Sequence, residues 1–186
     1  MIIRKKFKFE AAHIVRNCTS QRCKENIHGH SYIVEVFVKG NQLDNGFMVL
    51  DFCLFKPISE LIDSFDHSYC LWKEETKEFK SFIYRFNQRV AEMSLSPSAE
   101  GFALIFFFLI NQIIEHLELT NGEGEIKLHS VRVHETDTGY AEAFAEDMEW
   151  AIDLMDKIFF SEAIRKEWKQ LSSNSLPCLL NKKSLT

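Results

Sequence analysis

Apolar and polar side chains alternate through residues 3–13, with Phe7, Phe9, Ala11 and His13 on one side and Lys6, Lys8 and Glu10 on the other. A two-residue period predicts a half-buried β-strand. Residues 14–27 are polar and rich in Asn, Ser, Arg and Cys, which reads as a loop. A second strand is expected over 28–39, where Tyr32, Val34, Val36 and Val38 share a face opposite Ile33, Glu35 and Phe37. Asn41 to Gly46 supplies a turn. From Asp51 the spacing becomes helical through Leu54, Phe55, Ile58, Leu61, Ile62 and Phe65, with Pro57 near the start, where proline is tolerated. Residues 66–97 mix charges and aromatics without a sustained period. Ser98 and Glu100 open a second helix to about Leu119, ended by Asn121-Gly122. Residues 125–135 and 140–149 predict two strands joined at Asp137 to Gly139 as a hairpin. Residues 151–171 predict a third helix, and the Ser-rich tail beyond it is expected to be mobile.

The order strand, strand, helix, helix, strand, strand predicts an α+β domain over 1–150, an antiparallel four-stranded sheet with two helices on one face. Residues 151–186 add a C-terminal helix and tail. Four strands leave two open edges, and continuing the sheet through further copies would cover them, so a homo-oligomer is expected.

Composition narrows the function classes. Hydrophobic residues make up 46% of the 186, 17 of them Phe, enough for a substantial core. A net charge of −5 argues against a nucleic-acid binder, which would show a basic face. The five cysteines (18, 23, 53, 70 and 178) form no CxxC pair, so a disulfide framework or a thiolate zinc site is disfavoured and a reducing cytoplasm is expected. The N-terminal segment lacks the apolar stretch of a signal peptide. The longest apolar run, Phe102 to Ile110, is far short of the roughly 20 residues of a membrane helix.

The candidate chemistry lies in the histidines. His28 and His30 project from one face of the second strand, Gly29 faces away and permits close packing, and His13 continues the buried face of the first strand. If the strands pair antiparallel, three imidazoles converge with a fourth position open, the donor set of a catalytic zinc site, though imidazole also suits other transition metals. The competing interpretation is a surface pair on an edge strand with His13 an unrelated core residue. His116 stands at a helix C-terminus, and His129 and His134 on opposite faces of their strand, so none of these three is assigned to the metal.

An ordered set of motifs goes further. Phe9-Glu10-Ala11-Ala12-His13, a cysteine ahead of His28-Gly29-His30, Gly46 to Phe52 (GFMVLDF), Phe65-Asp66-His67 ahead of Leu71, Ser96 to Glu100 (SPSAE) and Val133 to Thr136 (VHET) resemble the 6-pyruvoyltetrahydropterin synthase family, which includes 6-carboxytetrahydropterin synthase of queuosine biosynthesis. The resemblance implies a T-fold subunit whose sheets join into a barrel, with active sites between subunits. It implies His13, His28 and His30 as zinc ligands, Cys23 as general base, Asp66 and His67 as a proton-transfer pair, and Glu135 as anchor of the pterin ring. The implied substrate is 7,8-dihydroneopterin triphosphate, with Arg16, Arg22 and Lys24 as candidates for its triphosphate. The implied reaction is a lyase cleavage to the 6-carboxy product. Triphosphate elimination to the 6-pyruvoyl product, and a non-catalytic pterin- or metal-binding oligomer, are the alternatives. The pattern departs from the carboxy branch in having four residues rather than three between Cys23 and His28, which leaves Cys18 and Glu25 as rivals of Cys23. The stretches Trp72 to Leu95 and beyond Trp150 exceed the family's compact core.

Overall fold

The alternation of the first residues builds β1 (Ile2–His13). A computed structural model describes residues 1–155 and 158–169. The expected loop contains one short helix, α1 (Gln21–Glu25), and leads into β2 (His28–Gly40), which pairs antiparallel with β1 from Ile2↔Lys39 to His13↔His28. Asp51 accepts from the Cys53 N–H and starts a 3-10 turn, which runs into α2 (Lys56–Asp63) with proline in its first turn, where no N–H is needed. Then come β3 (Ser68–Trp72), α3 (Lys77–Phe86) and β4 (Val90–Met93). The Ser98 hydroxyl accepts from the Gly101 N–H and caps α4 (Ala99–Glu115), four residues shorter than expected. The expected hairpin forms as β5 (Ile126–Thr136) and β6 (Gly139–Ala143).

The α+β architecture stands, and its sheet is larger than four strands. Its order is β6-β5-β2-β1-β3-β4 and then β7 (Phe159–Phe160). The four expected strands form the antiparallel half. β3 runs parallel to β1 and β4 parallel to β3, with α3 as the crossover, so the sheet is mixed. These added strands are five and four residues long and β3 is buried almost throughout, so no alternation marked them. The single helix expected over 151–171 is instead α5 (Met148–Ala151) with a 3-10 turn, then β7, then α6 (Glu162–Trp168). Ile164 and Trp168, one helical turn apart, bury into the main core and supplied the helical period. The tail from residue 170 lies outside the described residues. Among the described residues no helix is long and apolar enough to cross a membrane.

α2 and α4 cover one face of the sheet. There Phe9 stacks on Tyr32 at 4.7 Å, and Phe102 and Phe106 of α4 meet Phe9 edge-on at 5.6 and 5.7 Å. α3 packs on the opposite face, where Tyr69, Leu71, Ile83 and Val90 form a second cluster with Ala12 against it. Also on that face, the buried Glu35 carboxylate takes Arg4 at 2.6 Å, His134 at 3.0 Å and Arg132 at 3.4 Å, tying β1, β2 and β5 together. Burial alone would raise the Glu35 carboxyl, but the His134 hydrogen bond and the two guanidinium charges outweigh it and hold it below its usual value.

Two stability predictions result. Glu35 stabilises the fold above its unfolded value near 4.5 and loses that contribution as pH falls through its lower folded value. Glu35→Gln should therefore cost about 1–3 kcal/mol in urea unfolding at pH 7, with the difference from wild type shrinking below pH 4.5. Gly101 packs against the backbone before α4, where an added Cβ would lie 2.1 Å from the Ser96 carbonyl oxygen. Gly101→Ala should cost about 1–3 kcal/mol by the same measurement.

Candidate metal centre and active site

The β1–β2 register sets His13 directly opposite His28 and Ala11 opposite His30. Since side chains alternate, all three imidazoles point to the face carrying α4, with ring centres 4.4 to 5.2 Å apart and ligand nitrogens within 4.8 Å of one another. Gly29 faces away, as its position between them implies: a Cβ there would lie 2.9 Å from the Ala11 carbonyl oxygen. His13 Nδ1 is 2.5 Å from the Pro97 carbonyl and His28 Nδ1 is 3.0 Å from the Asn26 carbonyl. A carbonyl only accepts, so each Nδ1 carries the hydrogen and each Nε2 presents its lone pair, the arrangement that orients metal-binding imidazoles. Burial pushes His13 down to about 4 against the raising effect of the Pro97 carbonyl, and the neighbouring histidines add to the lowering. His13 is therefore neutral near pH 7. Among the described residues, this is the one group of His, Cys, Asp and Glu side chains arranged to share an ion.

Two further groups meet the imidazoles. The hydroxyl of the fully buried Tyr32 lies 3.2 Å from His13 Nδ1 and 3.5 Å from Glu135 Oε1. Burial, then the Glu135 charge, raises Tyr32 far above its ordinary value, so it keeps its proton and donates to the carboxylate. Glu135 Oε1 is itself 3.7 Å from His13 Nε2 and 3.9 Å from His30 Nε2. The β5–β6 register shifts between His134 and Thr136, leaving Glu135 as an extra residue in the ladder, and bulges of this kind re-aim side chains beside sites.

A cleft of about 340 Å³ opens on this face at the start of α4, lined by Cys18, Cys23, His28, Glu135 and Tyr140 among others. Both rival cysteines therefore face it, while Glu25 is not among its lining residues. Asp66 and His67 lie elsewhere. His67 lines a separate cleft of about 440 Å³ with Glu10, Gly29, His30, Ser31 and Tyr69, so His30 borders it as well, and the two clefts share no lining residue. The Asp66 carboxylate accepts from the Glu10 N–H at 2.7 Å and from His67 Nδ1 at 2.7 Å, and the His67 N–H donates to the Glu10 carbonyl. Burial would raise Asp66; those two hydrogen bonds prevail and hold it below its usual value. His67 has φ +52°, a left-handed backbone unusual outside glycine and enriched where function holds a side chain in place. Arg89 braces the turn by donating to the Asp63 and Asp66 carbonyls and pairing with Glu167.

One chain thus brings together His13, His28, His30, Cys23 and Glu135, and holds the Asp66–His67 pair at the other cleft. Among the described residues no Lys or Arg lines either cleft of the single chain, Arg16, Arg22 and Lys24 included. The other histidines are occupied elsewhere: His116 by the Gln112 carbonyl, His134 by Glu35, and His129 against the Phe144 ring. Sequence reasoning missed Tyr32 and the Pro97 and Asn26 carbonyls. Tyr32 carried a signal, since it continues the face of His28 and His30; a backbone carbonyl carries none. In a zinc titration of chelator-treated protein followed by calorimetry, we expect about one site per chain. His28→Ala should weaken it by more than the 10–100-fold of a supporting residue, and His134→Ala should leave it unchanged.

A family model described as 6-pyruvoyl tetrahydropterin synthase matches residues 2–146. A Helicobacter pylori (strain J99) protein named 6-carboxy-5,6,7,8-tetrahydropterin synthase is 48% identical over 150 residues, which cover 80% of this chain and 75% of that one. An Aquifex aeolicus protein of the same name is 32% identical over 157 residues, covering 75% and 95%. Among solved structures, an uncharacterised protein of Wolinella succinogenes gives a TM-score of 0.62 at 19% identity, covering 78% of this chain and 98% of that one. The Caenorhabditis elegans 6-pyruvoyl tetrahydropterin synthase gives 0.53 at 20% identity, covering 78% and 95%. These two share the fold. By the extent of the family match and its identity to the Helicobacter protein, the chain belongs to the 6-pyruvoyl tetrahydropterin synthase family.

Proposed function

We propose that the protein is a zinc-dependent 6-carboxy-5,6,7,8-tetrahydropterin synthase in queuosine biosynthesis, a cytoplasmic lyase acting on 7,8-dihydroneopterin triphosphate. The observation that carries this is the three-imidazole cluster beside a cleft holding both a cysteine and a glutamate, in a chain 48% identical to a protein of that name. Three converging imidazoles, two of them with tautomers fixed by backbone carbonyls, fit zinc. Bound there, the ion would supply Lewis-acid polarisation of the substrate's side-chain oxygens and acidify the adjoining positions.

The chain's own residues do the rest. Cys23 takes a proton from the side chain as general base, a role open to a thiol that faces the cleft. The Glu135 carboxylate accepts paired N–H donors of the aminopyrimidine edge, bonds that charge assistance strengthens. His67, oriented by Asp66, exchanges a second proton. One water is consumed, triphosphate and acetaldehyde leave, and the 6-carboxy product remains.

The reading includes a homo-oligomer that completes the site. Cys23 and Glu135 face one cleft and His67 the other, so a second copy has to bring the Asp66–His67 pair to the first copy's cysteine. Two sheet edges support this. β6 ends the sheet on one side, and β1 pairs with β3 only through Ala11 to His13, with Glu10 taken by the Asp66–His67 turn, which leaves residues 2–9 without a ladder partner on that side. The cytoplasmic assignment rests on the free thiols of Cys18, Cys23, Cys53 and Cys70.

The pyruvoyl reaction is the second reading, favoured by the family description itself. Product analysis after incubation of the zinc-loaded protein with 7,8-dihydroneopterin triphosphate separates the two. Acetaldehyde beside a 6-carboxy pterin is expected. A 6-pyruvoyl product without acetaldehyde would replace the first reading by the second, and zinc and pterin binding without turnover would leave a non-catalytic oligomer.

A further inference from the structure

Cys23, one of the two cysteines that face the cleft, is carried by an element with little to hold it. α1 is five residues long, buries none of them and has no side-chain cap, and an isolated turn of that length is unstable in water. Its order comes from outside. The Val15 N–H donates to the Cys23 carbonyl at 3.1 Å, and Arg16 Nη1 donates to the next carbonyl, that of Lys24, at 2.9 Å. Arg16 is fixed in turn by the segment leading into α3. Its Nε donates to Glu75 Oε1 at 2.6 Å, and its guanidinium carbon lies 5.0 Å from the centre of the Phe79 ring. The Glu75 side chain is only 6% exposed. Its N–H donates to the Trp72 carbonyl, and the neighbouring Thr76 caps α3 through the Phe79 N–H.

We infer that Arg16, held between Glu75 and Phe79, is a positioning residue that fixes the Cys23 thiol in its cleft, and that this replaces the triphosphate role its position in the cysteine loop suggests. The inference rests on the assignment of Cys23 as the base. It also gives α3 a role, since the inserted segment steadies a catalytic loop too short to steady itself. Only a planar guanidinium can donate sideways to a carboxylate, forward to a carbonyl and stack on a ring at once, so lysine does not substitute. Arg16 lines neither cleft, which agrees with a support and disagrees with a substrate contact.

The test uses the full-length, zinc-loaded protein and the variants Glu75→Gln, Arg16→Lys and their double. Glu75→Gln keeps the shape and removes the charge that holds the guanidinium. Each single variant should lower kcat about 10-fold, the loss of one charge-assisted hydrogen bond, with KM for 7,8-dihydroneopterin triphosphate unchanged. Amide hydrogen exchange over residues 15–25 should quicken by about the same factor. The double variant should be no worse than the poorer single, because both break one clamp. Wild-type kcat and exchange in Glu75→Gln would overturn the inference. So would a raised KM at constant kcat in Arg16→Lys, which would make Arg16 a substrate contact. Cys23→Ala is assayed alongside: if it keeps wild-type turnover, the base is another group, and the exchange rates alone then decide whether the clamp orders the loop.

Discussion

Everything at the candidate site depends on the register of one strand pair. β1 and β2 pair so that His13 faces His28, and the same pleat carries Phe9 and Tyr32 into stacked contact two layers deeper. A one-residue slip of β1 would turn His13 to the opposite face, away from His28 and His30, and bury Lys6, Lys8 and Glu10 in the aromatic core. The cost of burying those charges unpaired far exceeds any local preference, so the core that specifies the fold also specifies the metal centre. The layer formed by Phe9, Tyr32, Phe102 and Phe106 is the floor on which the histidines stand, and Tyr32 is the member whose polar end reaches them.

The same pleat divides the chemistry. Residues of one parity carry the three imidazoles toward α4; residues of the other parity, Glu10, Gly29 and Ser31, line the cleft of His67, which Ala11 and His30 border at its edge. His67 and Cys23 line different clefts of one chain. Local strain at His67 and the double hold of its turn on Glu10 show that this second site is built with as much backbone control as the first. The bulge at Glu135 plays the matching part in the metal-side cleft.

Legibility in the sequence followed the physical origin of each feature. Long half-buried strands and α4 announced themselves because burial on one face imposes a period, and the convergence of His13, His28 and His30 followed from that period plus an antiparallel pairing. β3, β4 and β7 left no period, being short, and in the case of β3 buried on both sides. The roles of Cys23, Asp66, His67 and Glu135 came from the family resemblance and not from spacing. Their division between two clefts had no signal at all, since it depends on how β3 returns beside β1 in three dimensions. Arg16 carried no signal of its partner either, since Glu75 is 59 residues away.

Complementation tests most directly whether the sheet splits the machinery, so that a second copy must complete each site. Cys23→Ala and His67→Ala chains are prepared separately, each expected to be inactive, and then co-expressed in equal amounts so that they assemble together. Random mixing should restore about a quarter of wild-type turnover, because one site in four then receives an intact cysteine from one chain and an intact histidine from its neighbour. Mixed assemblies no more active than either parent would contradict the account and place Cys23 and His67 in a site closed within one chain.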